Sequence, residues 1–410
     1  MIKEIGKKNF YLIISGLIIL LLLIILFSFW PYKSLNKIME TDNIQNDKSD
    51  LIGAYIQQGE EYVKADTIPT SGYEFNEEES YCKIGDAIQE DMTLFYDMDT
   101  QTLTVSPIAK EGTKCYLYFD EQASGGDYIL AGDNPPTNST TDWTGGTSYY
   151  YTGNPNNWVQ FGTNSSGQSL YWRIIRINGD GSIRMIYQGT GFNTNGTSTQ
   201  IQTSAFNSKN NNNMYVGYMY TSGQRQGHDD PSTIKGILDT WYQNNLADEA
   251  DYIDGSAGFC GDRRVSSGTG IGTSTTDYQP YTRIRNSSPS LSCETPDIYT
   301  TSGSSTGNGA LTYPIGLISA DEAMFAGIPN WNSGGNTNNY LYTGQTYWTM
   351  SPYYFDGIYG VRVFWVRSSG YLSTGSVNGK YGVRPVINLR SDVALTGSGT
   401  TSDPFRIAGA

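Results

Sequence analysis

Residues 10 to 30 form one apolar run, broken only by Ser15, Gly16 and Ser28. A helix of about 20 such residues is the length that a bilayer's hydrocarbon core requires. Lys3, Lys7 and Lys8 precede the run and Lys33 and Lys37 follow it, so the positive-inside bias favours a cytoplasmic N-terminus with the rest of the chain outside. No small-x-small site closes the run, which ends Phe27-Ser28-Phe29-Trp30-Pro31. The expectation is a single-pass signal anchor with its cytoplasmic tip over residues 1–31, rather than a removed signal peptide. Residues 32–50, polar and without apolar period, read as a tether.

Charge is unevenly spread over the remainder of the chain. Of the formal net charge of −14, residues 31–124 carry 7 Lys against 19 Asp or Glu, and residues 125–410 are nearly balanced at −4. That balance argues against nucleic acid as the partner of the larger part. Four cysteines fall into two pairs, Cys82 with Cys115 and Cys260 with Cys293, each 33 positions apart. In an oxidising compartment they imply disulfides, and pairing within each domain is the simplest of about three connectivities. Zinc is disfavoured, since no CxxC spacing is present and His228 is the only histidine.

From residue 51 to 122 short stretches alternate with period two, as in Thr102-Leu103-Thr104-Val105 and Lys114-Cys115-Tyr116-Leu117-Tyr118-Phe119. This is the mark of half-buried strands, and with one bridge it predicts a small β-sandwich acting as a spacer. Residues 123–410 are rich in Gly, Ser, Thr, Asn and Tyr and read as a loop-heavy folded domain. Tyr171 to Ile177 and Ser182 to Tyr187, joined through Asn178-Gly179-Asp180-Gly181, predict a hairpin whose turn residues supply positive φ angles. Asp230 as N-cap and Pro231 at the first helical position predict a helix to about Leu246 that buries Ile234, Ile237, Leu238, Trp241 and Leu246. Ser319-Ala320-Asp321-Glu322 fits a capping box for a second, shorter helix ending at Gly327. Strands return after Thr346, and Pro385 places the last of them at an edge or a bulge. The fold class predicted from this order is α+β: an N-terminal transmembrane helix, a small β-sandwich module and a C-terminal mixed domain.

Four segments taken in order resemble a known family: Tyr171 to Ile177, Gly316 to Ala323, Tyr347-Trp348-Thr349-Met350-Ser351-Pro352, and Gly382 to Leu389. Together they look like uncharacterised bacterial surface domains. Their fold is similar to the C-type-lectin-like fold, in the branch shared with formylglycine-generating enzymes. The resemblance covers about residues 125–410 and implies that Ser351 to Gly357 is an exposed loop beside a ligand face. It does not carry catalysis across: a copper-binding cysteine pair is not left over from the disulfides, and iron chemistry of the related enzymes needs several histidines.

The candidate ligand-binding residues are therefore Tyr353, Tyr354, Phe355 and Asp356, with Arg263 and Arg264 as groups for an acidic ligand or for an internal salt bridge. Tyrosine outnumbers phenylalanine, 32 to 14, and Tyr with Ser, Gly and Asn is typical of recognition loops. Oxygen-rich loops of this kind offer ligands to calcium; no other cofactor is expected, and neither is an enzyme. The reading is an extracytoplasmic adhesion or binding protein for a glycan or surface protein, membrane-bound through residues 10–30. The alternatives are a pilin-like envelope subunit and a carbohydrate-active enzyme.

Overall fold

The computed structural model describes residues 52–69, 72–98, 101–304 and 306–408. Among them 38% lie in strands and 14% in helices, which corrects the expected α+β class to a mostly β protein. The amphipathic patterns that suggested a mixed class are real but short; the longest described helix has 13 residues. No helix among the described residues is long and apolar enough to cross a membrane, so the expected single-pass anchor, and the membrane location and partner that went with it, find no support in the structure. The apolar run and the tether lie outside the described residues.

The chain divides into two compact units, the first ending at Glu121 and the second beginning at Gln122. In the first, β1 (Ile52–Gln58), β2 (Glu61–Ala65), β3 (Tyr73–Ile84), β4 (Ala87–Ile88) and β7 (Thr113–Glu121) form a five-stranded sheet in the order β2-β1-β7-β3-β4. Strands β5 (Thr93–Asp97) and β6 (Thr102–Ser106) form a separate two-stranded ribbon that shares a core with the sheet. Alternation along β7 sends Cys115, Leu117 and Phe119 inward against Cys82, Leu94, Tyr96 and Leu103. Its other face carries tyrosines that pair across strands, Tyr55 on Tyr118 at 4.9 Å and Tyr81 on Tyr116 at 5.1 Å between ring centres; such pairs are the unit of sheet stabilisation. Cys82 and Cys115 face each other in the register and are disulfide-bonded.

The second unit opens with α1 (Gly125–Ala131) and holds two larger sheets. The first contains β8 (Asn138–Thr141), β9 (Thr147–Tyr150), β10 (Trp158–Thr163), β11 (Ser169–Ile177) and β12 (Ile183–Gly189). The hairpin expected at Tyr171 to Tyr187 is β11 and β12, whose turn has Gly181 at φ +85°. After β13 (Gln202–Ser204) comes α2 (Thr233–Asn245). Its N-cap is Ser232, not Asp230, because Asp230 and Pro231 pair with Met219 and Tyr220 in a short ladder. The expected Cys260–Cys293 bridge is present. Next along the chain come β14 (Val265–Ser267), β15 (Thr276–Tyr278), α3 (Gln279–Arg285), α4 (Ala320–Phe325), β16 (Tyr347–Asp356), β17 (Gly360–Val366), β18 (Leu372–Ser376), β19 (Tyr381–Val383) and β20 (Val386–Leu389). The second sheet runs β13-β19-β16-β15-β14, with β17 on β16 and β18 on β17. Pro385 falls between β19 and β20, where the chain leaves this sheet and joins β12 in the other. A residue without an N–H suits that transfer.

Between these sheets the core is apolar but threaded with charge. The capping box at Ser319 forms as expected, Glu322 Oε2 accepting from Ser319 N at 2.8 Å. The same carboxylate is fully buried and takes ion pairs from Arg176 at 3.1 Å and Arg184 at 2.5 Å. Burial raises its pKa, but the Arg184 and Arg176 guanidiniums outweigh burial and hold it below the ordinary glutamate value. Asp142 completes the row on Arg176 at 3.3 Å.

Buried phenols give the second unit an alkaline limit. Burial pushes the hydroxyls of Tyr242 and Tyr353 up to about 12, and those of Tyr218 and Tyr347 also rise. A folded pKa raised above the unfolded value of 10.0 contributes stability that is complete below that pH and is lost as pH rises through the folded value. The unit is therefore expected to lose stability between pH 10 and about 12, in step with phenolate absorbance. Denaturant midpoints that stay flat across that window while the tyrosines ionise contradict this account.

Candidate functional site

Strand β16 is the centre of the second sheet, with β15 on one side and β17 on the other. Its pairing with β17 slips between Pro352, opposite Val363, and Tyr354, opposite Arg362. One extra residue, Tyr353, is thereby accommodated in β16. A bulge of this kind bends the strand and re-aims its side chains. Tyr353 and Tyr354 meet with ring centres 4.8 Å apart, although they are sequence neighbours and a regular strand would send them to opposite faces.

Three segments converge on Tyr353. Tyr281 of α3 packs edge-on at 4.7 Å, Trp331 of the loop after α4 at 6.2 Å, and Phe364 of β17 at 5.2 Å. Tyr281 and Trp331 have nearly parallel planes, 16° apart, with centres at 6.4 Å. All are half-buried apart from Phe364, which belongs to the core. The turn from β16 to β17 lifts Ile358 and Tyr359 out, 85% and 58% exposed. Asp356 builds that turn by accepting from the backbone N–H groups of Ile358 at 3.0 Å and Tyr359 at 2.6 Å. Gly360 closes it at φ +71°, where a Cβ would also lie 2.5 Å from Asn210 O. Two guanidiniums rest on rings of the patch: Arg285 at 5.9 Å from the Tyr281 centre, Arg362 at 5.8 Å from Tyr354 and 5.5 Å from Tyr359.

Ser351 to Gly357 is thus not the exposed loop that was expected. Ser351 to Asp356 lie in β16, because Pro352 and the bulge are absorbed without ending the strand. Among the residues singled out from sequence, Tyr353 and Tyr354 are at the heart of the patch. Asp356 shapes its rim, and Phe355 points into the core at 2% exposure. Arg263 is elsewhere and inward: Nε pairs with Asp297 at 2.8 Å, and Nη1 donates to the carbonyls of Met219 and Gly227, both at 2.9 Å. Arg264 grips Asp262 with two donors at 2.7 and 2.9 Å. Asp262 also pairs with Arg283, which in turn pairs with Asp321. Both arginines therefore serve internal ion pairs and offer no fork to an outside acid.

Tyr281, Trp331, Tyr359, Arg285 and Arg362 were not singled out from the sequence. Each is an ordinary residue in its own segment, and only the Tyr353 bulge and the approach of α3 make them neighbours. No three or more His, Cys, Asp or Glu side chains among the described residues gather to hold a metal ion. His228 Nδ1 is buried without a hydrogen-bond partner among the described residues.

Two concave clefts lie away from the patch. One, of about 410 Å³, is lined by Asp254, Ser256, Thr301, Arg390 and Asp392; the other, of about 270 Å³, by Tyr128, Asn134 and Phe405. In the first, Asp392 closes on Arg390 at 2.5 Å, so its charge is already satisfied. The aromatic patch is the stronger candidate, because Arg285 and Tyr359 are exposed and neither Arg285 nor Arg362 has a carboxylate within ion-pair distance among the described residues.

Comparison of the chain with protein-family models, curated proteins and solved structures finds no match.

Proposed function

We propose that the second unit is a binding module that recognises a glycan through the Tyr353 patch. One observation carries this reading: the bulge at Tyr353 gathers Tyr281, Trp331, Tyr354 and Tyr359 from separate segments onto one surface with arginines beside them. Aromatic rings offer rigid, weakly hydrated area for the C–H faces of a sugar, and a few polar groups at the rim fix its hydroxyls. The two disulfides fit a protein working in an oxidising compartment.

A surface protein as ligand is the second reading, favoured by the 85% exposure of Ile358 at the tip of the turn. Tyr, Trp and Arg are also the residues that dominate protein interfaces.

The test is a screen of the full-length chain against arrayed glycans, followed by titration of any hit. Tyr353→Ala and Trp331→Ala are each expected to weaken binding about tenfold, equivalent to about 1.4 kcal/mol. Tyr353→Phe keeps the ring and is expected to retain most affinity. Tyr128→Ala, in the separate cleft, is expected to leave affinity unchanged, as is a calcium chelator. Silence across the array removes the glycan reading and leaves the protein one. Binding indifferent to the Tyr353 and Trp331 changes places the site elsewhere.

A further inference from the structure

We propose that the glycan recognised by the Tyr353 patch is acidic, carrying a carboxylate or sulfate that Arg285 and Arg362 hold. This deepens the glycan reading and rests on it.

Arginines of this unit are held in two ways: several pair with carboxylates, whereas the buried Arg173 and Arg384 take carbonyl and amide oxygens, Arg225 takes the Gln226 amide and Arg367 rests on the Tyr371 ring. Arg176, Arg184 and Arg263 are buried and Arg283 is half-buried, and all four are matched with carboxylates. At the surface, Arg264 is matched with Asp262 and Arg390 with Asp392. Arg285 and Arg362 have no carboxylate within ion-pair distance among the described residues. Among the described residues the Arg285 guanidinium donates to the Tyr281 hydroxyl, at 3.2 Å. The Arg362 side chain has no hydrogen-bond acceptor at its Nε among the described residues, and that atom is shielded from solvent.

Acids do stand nearby, but they are engaged. Asp356 accepts the two backbone N–H groups of the turn, and Asp277, opposite Tyr354 in the register, accepts from Ser267 Oγ at 2.9 Å. The arginines are positioned by rings instead. A guanidinium resting on a ring keeps its in-plane N–H donors available, and that fork matches the two oxygens of a carboxylate or sulfate. The two arginines sit at opposite ends of one line of contacts, Arg285 on Tyr281, Tyr281 on Tyr353, Tyr353 on Tyr354, and Tyr354 under Arg362. A sugar lying on the rings therefore meets a cation at either end.

The full-length chain is titrated calorimetrically with two matched pairs: lactose and 3′-sialyllactose, then N-acetyllactosamine and its 6-sulfated form. The acidic member of at least one pair is expected to bind about tenfold more tightly, with the advantage shrinking as salt is raised. The responding pair tells carboxylate from sulfate. Arg362→Gln and Arg285→Gln are expected to bring the acidic and neutral members of each pair to equal affinity, with thermal midpoints confirming that the variants fold. Equal binding of neutral and acidic members overturns this inference and leaves the glycan reading standing. An acidic preference that survives both arginine changes overturns it as well. No binding of any of the four probes, with none on the array, overturns both.

Discussion

Glu322→Gln is expected to destabilise the second unit by about 3 to 5 kcal/mol, because it leaves two buried guanidiniums without their shared carboxylate. Glu322 is 2% exposed and receives Arg176 at 3.1 Å and Arg184 at 2.5 Å. A glutamine keeps the shape and can still accept the Ser319 N–H, so the helix cap survives and the loss belongs to charge. Arg184 is the more exposed of the two to this loss, since it has no other carboxylate; its remaining acceptors are the carbonyls of Gly258 and Leu317 and the amide of Asn388. Adding Arg184→Met to the glutamine variant is expected to restore part of the stability. Denaturant melts followed by tryptophan fluorescence decide the matter. A loss below about 1 kcal/mol would show that the network is neutral to folding. The pH profile gives a second reading. A glutamate held below its ordinary 4.5 contributes stability that is present above that value and lost as pH falls through the folded pKa. The wild type is expected to lose this contribution in acid, and Glu322→Gln to lack that limb.

Cys82→Ala with Cys115→Ala is expected to unfold the first unit while the second stays intact. A closed loop of 33 positions is equivalent to about 3 to 4 kcal/mol on the chain-entropy model. A unit of this size has a small core and little stability to spare. The bridge joins β3 and β7 at the middle of that core, beside Leu117 and Phe119. No tryptophan lies between residues 52 and 121, so tryptophan fluorescence reports on the second unit and limited proteolysis on the first. The expected pattern is rapid cleavage within residues 52–121 with an unchanged fluorescence midpoint. Resistance equal to that of the wild type would mean that the two sheet faces hold without the bridge.

Local chemistry was legible in the sequence where neighbours along the chain are also neighbours in space. The Asn178-Gly179-Asp180-Gly181 turn forms because its own residues close it, Asp180 Oδ1 accepting from Ser182 N at 3.0 Å. The capping box at Ser319 needs only the residues from Ser319 to Glu322. The α+β class was misread because short amphipathic stretches count the same in a pattern whether they are lone turns of helix or the scaffold itself.

The sequence by itself determined the strand-rich alternation of the first unit, the hairpin and the capping box, because period, turn propensity and capping act over a few residues. Tertiary structure alone decided that Glu322 anchors Arg176, 146 positions away, and that Arg263 turns inward to Asp297. It also decided that Tyr353 leaves its strand's alternation to join Tyr281 and Trp331. These depend on register and burial, and a bulge of one residue or a carboxylate brought from a distant loop leaves no mark in the local pattern.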